Sequence, residues 1–163
     1  MSLAIVHSRA QVGVEAPPVT VEAHLANGLP SLALVGLPET AVKESKDRVR
    51  SAILTSGFDF PARRITLSLA PADLPKDGGR FDLSIALGIL AASAQIPAQS
   101  LTGIECLGEL ALSGALRPVQ GLGGLARPNP SKCYEKTARI AYILLRKQIN
   151  VVAILVFLRR PAG

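Results

Sequence analysis

The sequence predicts an α+β domain of roughly six short strands and two or three helices. Three stretches carry that expectation. Ile65, Leu67 and Leu69 alternate with Thr66 and Ser68, the period-two pattern of a half-buried strand. From about Arg80 the chain is apolar on almost every side, through Leu83, Ile85, Ala86, Leu87, Ile89 and Leu90. A helix of that kind belongs inside a core. Between the two, Pro71 and Pro75 interrupt regular pairing, and Lys76-Asp77-Gly78-Gly79 supplies a turn in which Gly78 and Gly79 tolerate positive φ.

The flanking elements follow from the same rules. Leu3, Ile5 and His7 alternate with Ala4, Val6 and Ser8 in a first strand. A second runs from about Val14 to Ala26, with Val19, Val21, Ala23 and Leu25 on one face and Glu22 and His24 on the other. Pro17 and Pro18 make its start an edge or a bulge. Asn27-Gly28 is a hairpin signal and Ser31 to Val35 the returning strand, so the opening reads as an antiparallel meander. Gly36-Leu37-Pro38-Glu39 starts a helix, with proline in the first turn and Glu39 at the positive end of the dipole. Val42, Val49 and Ile53 form its apolar stripe, while Lys43, Glu44, Lys46, Asp47, Arg48 and Arg50 cover the other side. Glu39–Lys43 and Glu44–Arg48 are favourable pairs four apart, and Gly57 stops the helix. Ile104 to Leu116 reads as two short strands around Ser113-Gly114.

Composition limits the functions available. A chain of 163 residues, 48% apolar, suits one folded domain and excludes disorder. The net charge of +6 divides unevenly: residues 1–123 hold ten Lys/Arg against eleven Asp/Glu, and residues 124–163 hold eight against one. The basic excess belongs to the tail and says nothing about nucleic-acid affinity of the body. Cys106 and Cys133 read as ordinary reduced thiols, too few for a disulfide framework or a zinc site. The opening residues lack a basic region followed by a long apolar run, so the expected location is the cytoplasm.

Catalytic chemistry finds little to work with. The two histidines, His7 and His24, lie on strands beside no evident nucleophile. No His-Glu-x-x-His pattern or ligand cluster points to a metal, and Asp73, Asp77 and Asp82 read as caps and turn formers. No Gly-x-x-x-x-Gly-Lys sequence is followed by Ser or Thr, so the chain itself is not expected to hydrolyse ATP. Lys76-Asp77-Gly78-Gly79-Arg80 remains able to form an anion nest with a cation on either side.

Three longer motifs add a resemblance. Gly36-Leu37-Pro38-Glu39-Thr40-Ala41-Val42-Lys43-Glu44, Ala70-Pro71-Ala72-Asp73-Leu74-Pro75-Lys76 and Gly78-Gly79-Arg80-Phe81-Asp82-Leu83 occur in this order. Together with the opening forty residues, they resemble the N-terminal domain of the ComM/YifB family, Mg-chelatase-like AAA+ proteins linked to competence. The resemblance covers residues 1 to about 123. It implies a Lon-protease-domain-like α+β fold with a mixed sheet, placed ahead of a hexamer-forming ATPase module. That module, which uses ATP and Mg2+, has no counterpart in this sequence. The implied family role is DNA branch migration in natural transformation. Implied partners are further copies in a ring and single- or double-stranded DNA, with no membrane.

Pro75-Lys76-Asp77-Gly78 resembles the turn before the Lon nucleophile, which places the serine position on Arg80 and the lysine position on Gly123. A permanently charged guanidinium and a residue without a side chain cannot perform Ser–Lys chemistry. The resemblance therefore implies no catalytic residue. It leaves Lys76, Arg80 and the helix cations Lys43, Lys46 and Arg50 as nucleic-acid contacts, with Gly78 and Gly79 shaping the turn. Two rival readings are a cryptic Lon-like hydrolase using Ser84 and a standalone interaction module with exposed strand edges. Residues 124–163 depart from the family. Their apolar run Ile149 to Leu158 is too short for a membrane span and reads either as a buried strand or as non-native, frameshifted sequence.

Overall fold

Strand β1 (Ser2–Arg9) pairs antiparallel with β2 (Pro18–Ala26), from Ser2 opposite Leu25 to Arg9 opposite Pro18. The structure is a computed structural model that describes residues 2–36, 39–76, 78–117, 119 and 155–158. Proline has no N–H for a ladder, and Pro18 sits at the first residue of β2, four positions later than the alternation alone suggested. Ala4, Val6, Ser8, Val19, Val21, Ala23 and Leu25 face inward, while Leu3 and Ile5 stay exposed on the opposite face.

After the Asn27-Gly28 turn the chain departs from the expected antiparallel meander. Strand β3 (Ser31–Val35) leads through helix α1 (Glu39–Thr55) to β4 (Arg64–Ala70), and β3 and β4 run parallel. β4 then pairs antiparallel with β2 and lies between β2 and β3. The reason is burial. Ile65, Leu67 and Leu69 are fully buried, whereas Leu32 and Leu34 are only partly so. The more deeply buried strand, β4, takes the inner slot, and β3 is left at the edge. A turn signal reports that the chain reverses, not which strand it will pair with.

Helix α1 buries Ser45, Val49, Ala52 and Ile53. It ends at Gly57 as expected, where the amides of Ser56, Gly57 and Phe58 donate back to the carbonyls of Ala52, Leu54 and Ile53. Helix α2 (Asp82–Ala92) is buried along all eleven residues. It packs on β1 and β2 on one side and on α1 on another. Gly88 permits that approach, since a Cβ there would stand 3.1 Å from the Cβ of Ala23. Each of Leu83, Ile85, Leu87, Ile89 and Leu90 contributes roughly 1.5–3 kcal/mol of burial.

The Ile104 to Leu116 stretch divides between two sheets. β5 (Ile104–Leu107) joins β1 in parallel, while β6 (Glu109–Leu110) and β7 (Leu116–Arg117) form a separate hairpin spanning Ser113-Gly114. The last strand, β8 (Leu155–Leu158), falls within the apolar run Ile149 to Leu158 and pairs antiparallel with β5. The main sheet reads β3-β4-β2-β1-β5-β8, a mixed sheet in an α+β fold. Among the described residues, no helix is long and apolar enough to cross a membrane.

Candidate functional site

The turn before α2 holds two of the expected nucleic-acid contacts, and both are buried. Lys76 is 2% exposed. Its ammonium donates to the carbonyl of Pro71 and, at 3.3 Å, to that of Leu74. Burial pushes its pKa below the ordinary lysine value. Arg80 is 9% exposed and donates through Nη2 to Gln11 Oε1 at 3.0 Å, with burial lowering its pKa as well. A phosphate contact needs a cation at the surface. The structure therefore corrects the contact role of Lys76 and Arg80: Lys76 bonds carbonyls of its own loop, and Arg80 bonds Gln11.

The backbone at the start of α2 is also committed. Asp82 N–H donates to Gly79 O at 3.0 Å, Leu83 N–H to Gly108 O at 3.1 Å, and Gly108 N–H to Arg80 O at 3.0 Å. Two amides at the start of α2, those of Asp82 and Leu83, are thus spent on carbonyls and not open to an anion. The glycines keep their structural role. Gly78 takes φ +72°, and a Cβ on Gly79 would come within 2.5 Å of Glu109 Cγ. Asp77 lies outside the described residues.

Asp82 is more than a turn former. It is 1% exposed and centres a polar cluster joining α1, α2 and β6. Oδ1 accepts from Ser45 Oγ at 2.8 Å and Arg48 Nη2 at 3.3 Å, while Oδ2 accepts from Arg48 Nε at 2.6 Å and Leu110 N–H at 3.2 Å. Burial raises the Asp82 pKa, opposed by the hydrogen bonds from Arg48, Ser45 and Leu110. The hydrogen bond to Asp82 holds the Arg48 pKa above its ordinary value. Arg48 thus leaves the solvated face on which the sequence placed it, although it keeps the expected partner Glu44 at 3.5 Å. Ser45 was missed; its place one turn before Val49, on the inward face, was the available signal.

The other cations, Lys43, Lys46 and Arg50, lie at i, i+3 and i+7 on one stripe of α1. Lys43 and Arg50 are exposed and Lys46 is half-buried. The Arg50 guanidinium sits over the half-buried Phe60 ring, 4.8 Å from its centroid. This stripe presents positive charge to solvent, and the turn before α2 does not.

Among the described residues no hydrolase site forms around Ser84. It is 0% exposed, and its hydroxyl donates at 2.6 Å to Cys106 O, which also accepts from Ser8 Oγ at 2.8 Å. Burial, aided by the charge of Glu105, pushes the Cys106 thiol up to about 12, where it is a poor nucleophile. Glu105 is itself held by Arg9 at 2.7 and 3.0 Å. Arg80 stands at the expected serine position, and Gly123 lies outside the described residues. The cavity between α1, α2 and the β6–β7 hairpin measures about 40 Å³ and is lined by apolar groups such as Phe58, Leu87, Leu90 and Leu110, plus Ser56. It offers no acid or base. Among the described residues no group of three His, Cys, Asp or Glu is placed to hold a metal.

Comparison with known proteins bears on this arrangement. The family model described as subunit ChlI of Mg-chelatase matches residues 21–134. The uncharacterized protein YifB of Salmonella typhimurium is 65% identical over 121 residues, covering 74% of this chain and 24% of its own length. The competence protein ComM of Haemophilus influenzae is 63% identical over 122 residues, 75% of this chain and 24% of its own. An uncharacterized protein of Mycobacterium bovis is 43% identical over the same length. The chain spans about a quarter of the length of these relatives.

Proposed function

Because the chain belongs to the Mg-chelatase subunit ChlI family and shares most of its length with YifB and ComM, we propose that it is a non-catalytic domain for assembly and DNA handling. In this reading its fold is Lon-like, and it stands N-terminal to an AAA+ module in a cytoplasmic ATPase that uses ATP and Mg2+. Copies arranged as a ring drive DNA branch migration during transformation. The observation that carries the non-catalytic part is local. Where a Lon-type nucleophile belongs, Arg80 is packed against Gln11, and the nearby Ser84 hydroxyl is spent on a carbonyl. The part concerned with DNA rests on the α1 stripe, Lys43, Lys46 and Arg50. The body is near neutral, so affinity per copy is weak and a ring of copies raises it. The test uses full-length ComM with and without the segment matching this chain. ATP hydrolysis is expected to persist and branch migration to fail. Branch migration that survives the deletion overturns the reading.

A second reading has its own support. β3 is an edge strand with no charged residue between Ser31 and Val35, and Ala33 and Val35 are exposed. Unprotected edges pair with other strands. A domain that recruits a protein partner by strand addition is expected to lose that partner when Ala33 is replaced by proline, in a pull-down that leaves DNA binding unchanged.

A further inference from the structure

The Arg50–Phe60 stack suggests a more specific ligand than duplex DNA, and this inference rests on the DNA-handling reading above. A guanidinium lying on an aromatic ring is a flat cationic surface. Its outer face suits an unpaired base, because every base has a π-face. A duplex hides those faces within its own stack. Phe60 packs partly against the hydrophobic core, which anchors the platform from below. Lys46 and Lys43 continue from Arg50 along the same stripe, so the track from Lys43 to Arg50 is about 10 Å long at 1.5 Å per residue. On the other side Arg63 follows Phe60 by three residues and is half-buried, with Nη2 donating to Asn27 Oδ1 at 3.2 Å.

We propose that α1 and the Phe60–Arg63 segment bind single-stranded DNA, with one base stacked on Arg50–Phe60 and phosphates against Lys43, Lys46 and Arg63. Acids temper the site, among them Glu44, which is exposed beside Lys43. Asp47 shares the stripe's flank and Asp59 precedes Phe60, and both are exposed. Their charge keeps affinity modest and sensitive to salt.

The experiment is fluorescence anisotropy of the full chain with labelled oligothymidine and with a duplex of equal length, across a salt series. The basic tail contributes equally in every variant, so differences between variants report on the track. Arg50→Lys keeps the charge and removes the planar surface. It is expected to weaken single-strand binding about 5- to 20-fold, with the salt slope and duplex affinity unchanged. Phe60→Leu should act in the same direction. Lys43→Ala and Lys46→Ala should each lower the single-strand salt slope by about 0.7. Asp47→Asn should tighten binding. If Arg50→Lys leaves single-strand affinity unchanged, or weakens both ligands alike, the stacking site is overturned while the broader DNA reading stands. If the full chain binds neither ligand, the broader reading falls with it.

Discussion

The turn before α2 and the outer stripe of α1 both carry cations, yet they use them in opposite ways. Lys76 and Arg80 flank a glycine turn at a helix start, where a bound anion would be expected, and both are buried on neighbouring protein oxygens. Lys43 and Arg50 sit on an ordinary helix face and are exposed. The difference lies in what else reaches each place. Asp82 already supplies negative charge at the start of α2 and accepts from Arg48, Ser45 and Leu110. Proximity to a motif does not make a charge available. Partners decide that.

The largest effect expected from this contrast comes at Asp82. Asp82→Ala removes the acceptor for Arg48, Ser45 and Leu110 and should cost about 3–5 kcal/mol in urea unfolding. A loss under about 1 kcal/mol would mean that the pin between α1 and α2 is not structural. Next comes the turn itself. Gly78 holds φ +72° with no atom within 4 Å of a built Cβ, so Gly78→Ala should cost about 1–2 kcal/mol from backbone strain alone.

Lys76 distinguishes the two regions through pH. Its folded pKa is depressed, so in the window between that value and the unfolded one the unfolded chain holds a proton that the folded chain has released. Below the window both states are protonated and the burial cost is borne in full. Raising pH through it therefore stabilises the fold. The stability difference between wild type and Lys76→Met should shift toward wild type as pH climbs from neutral toward ten. A flat difference would place the ammonium in water. The smallest effect belongs to the exposed side of the comparison: Lys43→Ala should change stability by less than about 0.5 kcal/mol while weakening DNA binding.

Much of the fold was legible because it depends on local pattern. The alternation at Val19–Leu25 and Ile65–Leu69 identified the inward faces, and the unbroken apolar run at Leu83–Leu90 marked a helix enclosed on all sides. Gly57 marked a helix end. Pairing was less legible, because periodicity names a face and not a neighbour. β4 displaces β3 from β2 through a comparison of burial between strands more than thirty residues apart. The same limit hid the Asp82 cluster, whose contact with Arg48 spans 34 positions. The sequence reading saw the cations of α1 as one solvated set. Only the fold divides them into Arg48, paired with buried Asp82, and Lys43 and Arg50, which are exposed, with Lys46 half-buried.

The parallel pairing of β1 with β5 also has a consequence for biosynthesis. β1 leaves the ribosome well before Cys106, whose carbonyl receives Ser8 and which lies 98 residues downstream. At about 5–20 residues per second, that is an interval of roughly 5–20 seconds. During it β1 can hold β2 on one side while its other edge waits unpaired, with Leu3 and Ile5 on an uncovered face. The nascent domain is then most open to wrong strand partners, and a chaperone that shields β1 would matter more before residue 106 emerges than after.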